Sequence, residues 1–315
     1  MRIIHSRKRV FEFGDNAFCN KCVLLSWVLS IIKWKILGHQ IVLYTDKSTL
    51  NDINKFGFSN LYDEINTDLF ENGDVCKDID FKWFWATPKL LSYHYELEHL
   101  GNNPIVCDMD VIPARDFSNL FNIANVTVWS NKEFVNVRAV YPQLYELSTP
   151  KGYTFPKWFT GEAKPLNTGI IYFNNPEFAK EYLDEAMRFI RGNVNSKNNS
   201  DVITMCNAEQ RMLGEYVAYK NLTYTTVQPF GARLSNRNGF HIHGFKNLLT
   251  SKEDINWHLQ MLLEIKKHNE CVFNELLNNK LFEDERKHFE ENGYAYEEVE
   301  ILSRCGIGGG EQWIF

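Results

Sequence analysis

Two carboxylates one residue apart, Asp108 and Asp110, follow directly on the apolar run Ile105-Val106-Cys107 and precede Val111-Ile112-Pro113. In extended backbone alternate side chains share a face. Asp108 and Asp110 are therefore expected to point one way with Met109 turned opposite, so that the pair can share one cation. Hard oxygen ligands of this kind suit Mg²⁺ or Mn²⁺, ions that keep positions open for substrate phosphates. A D-x-D tripeptide also occurs in turns and helix caps, and it is the buried strand leading into this one that favours a metal.

The elements that must position this pair read as α/β. Short apolar, β-branched runs alternate with longer helical patterns, the signature of a largely parallel sheet with helices on it. Arg2–His5 is a strand, Asn20–Leu37 a helix stopped by Gly38, and Gln40–Tyr44 a strand ending in Thr45-Asp46 before another short helix. Ser6 and Asp46 fall in the loops after strand carboxyl ends, where ligands bind in open α/β sheets. Thr87-Pro88 reads as an N-cap and first helical position. Lys89 interrupts the apolar face of that helix, either as a site residue or as a snorkelling surface lysine. Later come a strand from Thr168 to Phe173 entered through Asn167, helices at 176–191 and 208–220, a strand at 224–228, and a strand-like His241-Ile242-His243-Gly244. Beyond Ser251 the pattern is charged helix with a Gly-rich tail, which lacks the lysine of a phosphate loop.

Composition sets limits on the function. The 315 residues are 44% hydrophobic and 23% charged, as in an ordinary folded protein, and 14% are aromatic, which suits either a thick core or a groove that stacks rings. A net charge of −6 gives no general attraction for a polyphosphate backbone. Nucleic acid is therefore a disfavoured acceptor, although a local basic groove around Arg233, Arg237 and Lys246 would override this. The amino terminus runs straight into charge, and Val23–Ile32 is too short to span a bilayer; the expected location is the cytoplasm, with any membrane role peripheral. Seven cysteines without paired spacing read as reduced thiols, the Cys19-x-x-Cys22 spacing included.

The stretch from Ile105 to Val111 resembles the D-x-D strand of GT-A glycosyltransferases. Three later segments resemble, in the same order, the glycogenin-like galactosyltransferase branch of that fold. Pro165-Leu166-Asn167-Thr168-Gly169-Ile170-Ile171-Tyr172-Phe173-Asn174 is similar to its Asn-x-Gly segment, Glu209-Gln210 falls where the branch has Asp-Gln, and His241-Ile242-His243-Gly244-Phe245-Lys246 is similar to its H-x-x-G followed by lysine. The resemblance covers about residues 1–250 and leaves 251–315 as a helical extension packed on that domain. It implies a GT-A (Rossmann-like) α/β fold with a mixed, mostly parallel central sheet. It also implies a metal-dependent transferase that moves a sugar from a nucleotide sugar, a UDP-sugar first, to a hydroxyl on a glycan, lipid-linked or other acceptor, with retention. Asp108, Asp110 and His241 would hold Mn²⁺ or Mg²⁺, with His243 as rival ligand because strand alternation places both imidazoles on one face. Asp108, Lys89, Asp46, Ser6 and Lys246 would contact the nucleotide sugar. Glu209, Gln210 and Asn167 would lie at the reacting sugar. Two departures stand out: Glu replaces the branch's Asp at 209, and Lys246 follows Gly244 more closely than is usual. Rival readings are a sugar-phosphate nucleotidyltransferase, which needs an amino-terminal Gly-rich loop that residues 1–20 lack, and a non-catalytic binding protein of the same fold.

Overall fold

The computed structural model describes residues 1–9, 18, 20–131, 141–144, 152–192, 201–228, 238–241 and 255–294. Nine strands run in chain order among them: β1 (Arg2–Arg7), β2 (Gln40–Thr45), β3 (Glu64–Asn66), β4 (Ile105–Cys107), β5 (Val111–Pro113), β6 (Val126–Ser130), β7 (Asn167–Phe173), β8 (Tyr224–Thr226) and β9 (Gly239–His241). Seven form one sheet in the order β3-β2-β1-β4-β7-β6-β8, and β5 pairs with β9 in a separate ribbon. Pairing is parallel from β3 across to β4 and between β6 and β8, and antiparallel on both sides of β7. The sheet is thus mixed and mostly parallel, as expected.

Strand side chains alternate between two covered faces, which is why these runs are apolar at successive positions. Ile3, Ile41, Leu43, Ile105 and Ile170 enter one core. Ile4, Val42, Val106, Ile171 and Phe173 enter the other. The first face is covered by α1 (Lys21–Ile36), capped by the Asn20 side chain on the Val23 amide at 3.1 Å and ended at Gly38 with φ +78°. Helix α1 is apolar almost all round because its far side is buried too. Two short helices follow, α2 (Lys47–Lys55) and α3 (Asp68–Glu71). The second face carries α4 (Thr87–Tyr95), α5 (Pro176–Gly192), α6 (Asp201–Cys206), a π-helical turn at Asn207–Arg211 and α7 (Met212–Tyr219). Finally α8 (Ile255–His268), α9 (Glu270–Asn278) and α10 (Glu283–Asn292) place Leu259, Leu262, Phe273 and Phe289 in the same core as α1.

Several element boundaries differ from expectation: β1 runs on to Arg7, so that Ser6 lies in the strand and not in the loop after it, because it stays paired with β2, while β2 ends at Thr45 and β8 already at Thr226. Ala86, not Thr87, precedes α4, because the Thr87 amide already donates to the Phe84 carbonyl at 2.9 Å in a turn that leads into the helix. The helix expected from Ala208 begins at Asp201 and passes through the π turn, its polar residues there being buried rather than looped out.

A buried charge cluster ties α1 to the carboxyl-terminal helices. Lys21 Nζ donates to both Glu285 oxygens at 2.9 and 2.7 Å, and His258 Nδ1 lies 3.0 Å from Oε1. Burial alone would raise the Glu285 pKa, but His258 and Lys21 outweigh it and hold the carboxyl below its ordinary value of 4.5. A group depressed in this way contributes stability that is present above that value and is lost as pH falls through the folded pKa. Glu285→Gln is expected to lower unfolding free energy by about 2–3 kcal/mol at neutral pH, the scale of charge-assisted hydrogen bonds. In urea titrations the deficit should shrink well below pH 4.5; an equal deficit at both pH values would rule out the charge as its source.

Candidate metal and sugar-nucleotide site

The chain reverses sharply after β4. Asp108 N donates to the Gly169 carbonyl at 2.8 Å, extending the β4–β7 pairing by one residue, and Val111 N donates back to Asp108 O at 3.1 Å. Asp108-Met109-Asp110 is therefore a tight turn and not the extended segment expected, because β5 leaves the main sheet to pair with β9. The two carboxylates still converge, now through the turn. The register sets Val111 opposite His241, which brings the imidazole back to the acid pair. Gly239 permits this closure, since a Cβ there would lie 2.6 Å from the Ile112 carbonyl oxygen.

His241 Nε2 is 3.4 Å from Asp108 Oδ2 and 3.4 Å from Asp110 Oδ1. One donor atom from each of the three side chains lies within 4.8 Å of the others. The imidazole is held edge to face against Trp129, with ring centroids 5.8 Å apart, and it rests on Gly169, where an added Cβ would come within 2.6 Å of Nδ1. Burial draws the His241 pKa down, but the Asp110 and Asp108 carboxylates outweigh it and push it up to about 9. Burial likewise raises that of Asp108, and Lys89 and His241 reverse the direction, holding it well below the usual carboxylate range.

Lys89 is not a surface lysine. It is 6% exposed, and its Nζ donates to Asp108 Oδ1 at 2.7 Å and to the Thr168 carbonyl at 2.8 Å while closely contacting Glu209 Oε1. Its ammonium loses solvation on burial, yet Asp108 and Glu209 raise its pKa, so it stays charged. Glu209 is buried on the π turn, and burial lifts its pKa against the pull of Lys89. Its neighbour Gln210 accepts from the Tyr141 hydroxyl through Oε1 and from Leu166 N through its backbone oxygen. Asn167, at the start of β7, accepts from Gly169 N at 2.9 Å.

Ser6 and Asp46 lie at the carboxyl ends of the parallel strands. Ser6, opposite Tyr44, shares a hydrogen bond with Ser92, and Asp46 accepts from Arg9 N at 3.1 Å and Thr49 Oγ1 at 2.6 Å. His243, Lys246, Arg233, Arg237 and Cys19 lie outside the described residues.

Sequence reasoning passed over several residues of the site. His5 is fully buried, 3.1 Å from the Tyr62 hydroxyl and 3.3 Å from Ser30 Oγ, and burial lowers its pKa to about 3, so it is a neutral polar group in the core. Trp129 and Tyr141 carry no pattern that sets them apart from core aromatics. Gly169 was visible in the Asn-x-Gly segment, but only the structure shows that its missing side chain makes room for His241.

The site thus defines an α/β protein with two carboxylates and an imidazole gathered at the end of a buried central strand. The chain belongs to the family of unknown function DUF6734, whose model matches residues 4–291. No curated protein sequence matches it. Among solved structures it is similar to the galactosyltransferase LgtC in complex with donor and acceptor sugar analogs, at 9% identity over 66% of this chain and 70% of that one, with a TM-score of 0.35. Mouse xyloside xylosyltransferase 1 follows at 9% identity, 72% and 84% coverage and a TM-score of 0.36. The bifunctional glycosyltransferase WbbM gives 13% identity, 86% and 51% coverage and 0.39.

Lys89 is the counter-charge to the buried Glu209 carboxylate and to the partly exposed Asp108. Lys89→Met should cost about 3–5 kcal/mol of stability, the scale for orphaning one side of a buried pair. Adding Glu209→Gln should recover part of that loss in denaturant titrations. No recovery would show that Lys89 and Glu209 are not energetically coupled.

Proposed function

We propose that this protein is a metal-dependent glycosyltransferase that moves a sugar from a nucleoside diphosphate sugar, a uridine diphosphate sugar first, to an acceptor hydroxyl. The observation that carries the reading is the convergence of Asp108, Asp110 and His241 within 4.8 Å beside the buried ammonium of Lys89. The donor set fits a divalent cation: two hard carboxylates and one borderline imidazole suit Mn²⁺ or Mg²⁺. When bound, such an ion neutralises the diphosphate that leaves as the sugar–oxygen bond breaks.

The remaining roles belong to the chain. Asp108 and Asp110 would bind the ion in one direction, set by the turn between β4 and β5. Trp129 and Gly169 would hold the His241 ring in place. Lys89 keeps Asp108 ionised and oriented. Gln210 and Asn167, both buried with their carbonyl oxygens engaged by Tyr141 and Gly169, would present amide hydrogens to the sugar hydroxyls. Ser6 and Asp46, at the ends of β1 and β2, would border the nucleoside. Retention of configuration is supported by the pairing of Glu209 with Lys89, which occupies that carboxylate and so argues against it as the free base an inverting transfer needs.

Purified protein with Mn²⁺ and a panel of nucleoside diphosphate sugars should release the nucleoside diphosphate from at least one. Asp110→Asn should cut that rate by about 100-fold or more, the scale of losing one preorganised charge-stabilising group. Gly169→Ala should weaken Mn²⁺ binding about 10–100-fold by displacing His241, with the melting profile kept. Absence of turnover with every donor, together with unchanged nucleotide binding in Asp110→Asn, would overturn the reading.

A further inference from the structure

Helix α5 has two different faces. Tyr182 points inward, fully buried, and its hydroxyl donates to the Glu209 carbonyl at 3.1 Å. One residue earlier, Glu181 begins an outward face that continues through Asp184, Glu185 and Arg188. This face, with the end of α7 and the loop carrying Trp158, lines an open groove of about 370 Å³. The groove therefore lies on the opposite side of α5 from the metal triad.

Trp158 and Tyr219 stack in its lining, with centroids 5.6 Å apart and planes 16° from parallel; Tyr219 is 55% exposed, with the Lys220 ammonium 5.6 Å from its ring centroid. The charged groups around them are already fixed. Glu185 accepts from Arg188 Nε and Nη2 at 3.0 and 2.7 Å and from the Tyr153 hydroxyl at 2.6 Å. The Arg188 guanidinium lies 4.4 Å above the Tyr153 ring and donates to the Thr154 carbonyl. Glu181 pairs with Lys220 and accepts from the Tyr216 hydroxyl, and Asp184 is held by Lys180 and His94.

We infer that this groove is a second carbohydrate-binding site, one that holds a short run of neutral pyranose rings apart from the triad. A sugar offers an apolar C–H face to an aromatic ring, and its rim of hydroxyls both donates and accepts. The groove matches both demands, because its lining combines the rings of Trp158, Tyr216 and Tyr219 with carboxylate acceptors and cationic donors. Its charges argue against other ligands. Each carboxylate is already neutralised by a cation, which leaves little field to recruit either a basic peptide or a phosphate chain. The side chains are tied to one another beforehand, so little rotamer entropy remains to be lost on binding.

The test uses the full-length protein on an array of neutral glycans immobilised through their reducing ends. Wild type should bind a subset. Tyr219→Ala, a change at an exposed ring that leaves the melting temperature in place, should weaken that binding about tenfold, as loss of an aromatic platform does. Trp158→Phe, which keeps packing, should weaken it less. Asp110→Asn should bind glycans as wild type does, even if it has lost nucleotide binding, which separates this site from the catalytic reading. No glycan bound by wild type, undiminished binding in Tyr219→Ala, or loss in Asp110→Asn but not in Tyr219→Ala would each overturn the inference.

Discussion

Burying negative charge at the end of β4 is the constraint that the rest of the structure answers. Asp110 and Glu209 are buried and Asp108 is partly so, and carboxylates in such a place need counter-charge at contact distance. Two cations supply it from opposite sides. Lys89 reaches Asp108 and Glu209 from α4, and His241, its pKa raised to about 9, bridges Asp108 and Asp110 from β9. Neither partner is close to the acid pair in sequence, so the site exists only once the second-face helices and the β5–β9 ribbon have both formed.

The topology follows from that need. A wholly parallel sheet would carry the chain away from the end of β4, whereas β7 enters antiparallel beside it and brings Asn167, Thr168 and Gly169 alongside Asp108. The Thr168 carbonyl then gives Lys89 a third ligand, and Gly169 makes room for the His241 ring. The strand order reverses between β1 and β4, and a reversal of this kind opens a crevice at the strand carboxyl ends. Strand alternation completes the placement: Cys107 belongs to the core under α1, so Asp108, the next residue, turns toward the face that carries α4.

Much of this was legible in the chain. The apolar run before the acid pair and the glycine after α1 were each read correctly, because a local cause fixes each of them: burial on two sides and a left-handed stop; Asn167, read as the entry to β7, is its first paired residue. The geometry within Asp108-Met109-Asp110 was read wrongly. Strand periodicity assumes that pairing continues, and here β5 leaves to pair with β9, a partner about 130 residues away that no local pattern announces. The alternative reading of Lys89 as a snorkelling surface residue falls for a related reason. A lysine in an apolar helix face looks the same in sequence whether its head finds water or buried carboxylates. His5 was silent too, since a neutral imidazole hydrogen-bonded to Tyr62 and Ser30 occupies the core much as an aromatic ring would.

The π turn at Asn207–Arg211 shows how one local irregularity can join separate parts of a site. An extra residue in a helical turn is stable only when neighbouring contacts hold it, and such turns recur at functional sites. Here successive buried polar side chains reach different partners. Glu209 meets Lys89; Gln210 accepts from Tyr141; Arg211 donates to the Pro142 carbonyl, the Gly161 carbonyl and Asn207 Oδ1. Loss of solvation lowers the Arg211 pKa against the pull of Glu215, the pattern of a guanidinium held largely by neutral carbonyls. Tyr141 and Pro142 on one side and Gly161 on the other belong to the long connection between β6 and β7. The π turn therefore fastens that connection to the same residues that face Lys89 and Asp108, through hydrogen bonds that are buried or partly so and costly to leave unmade.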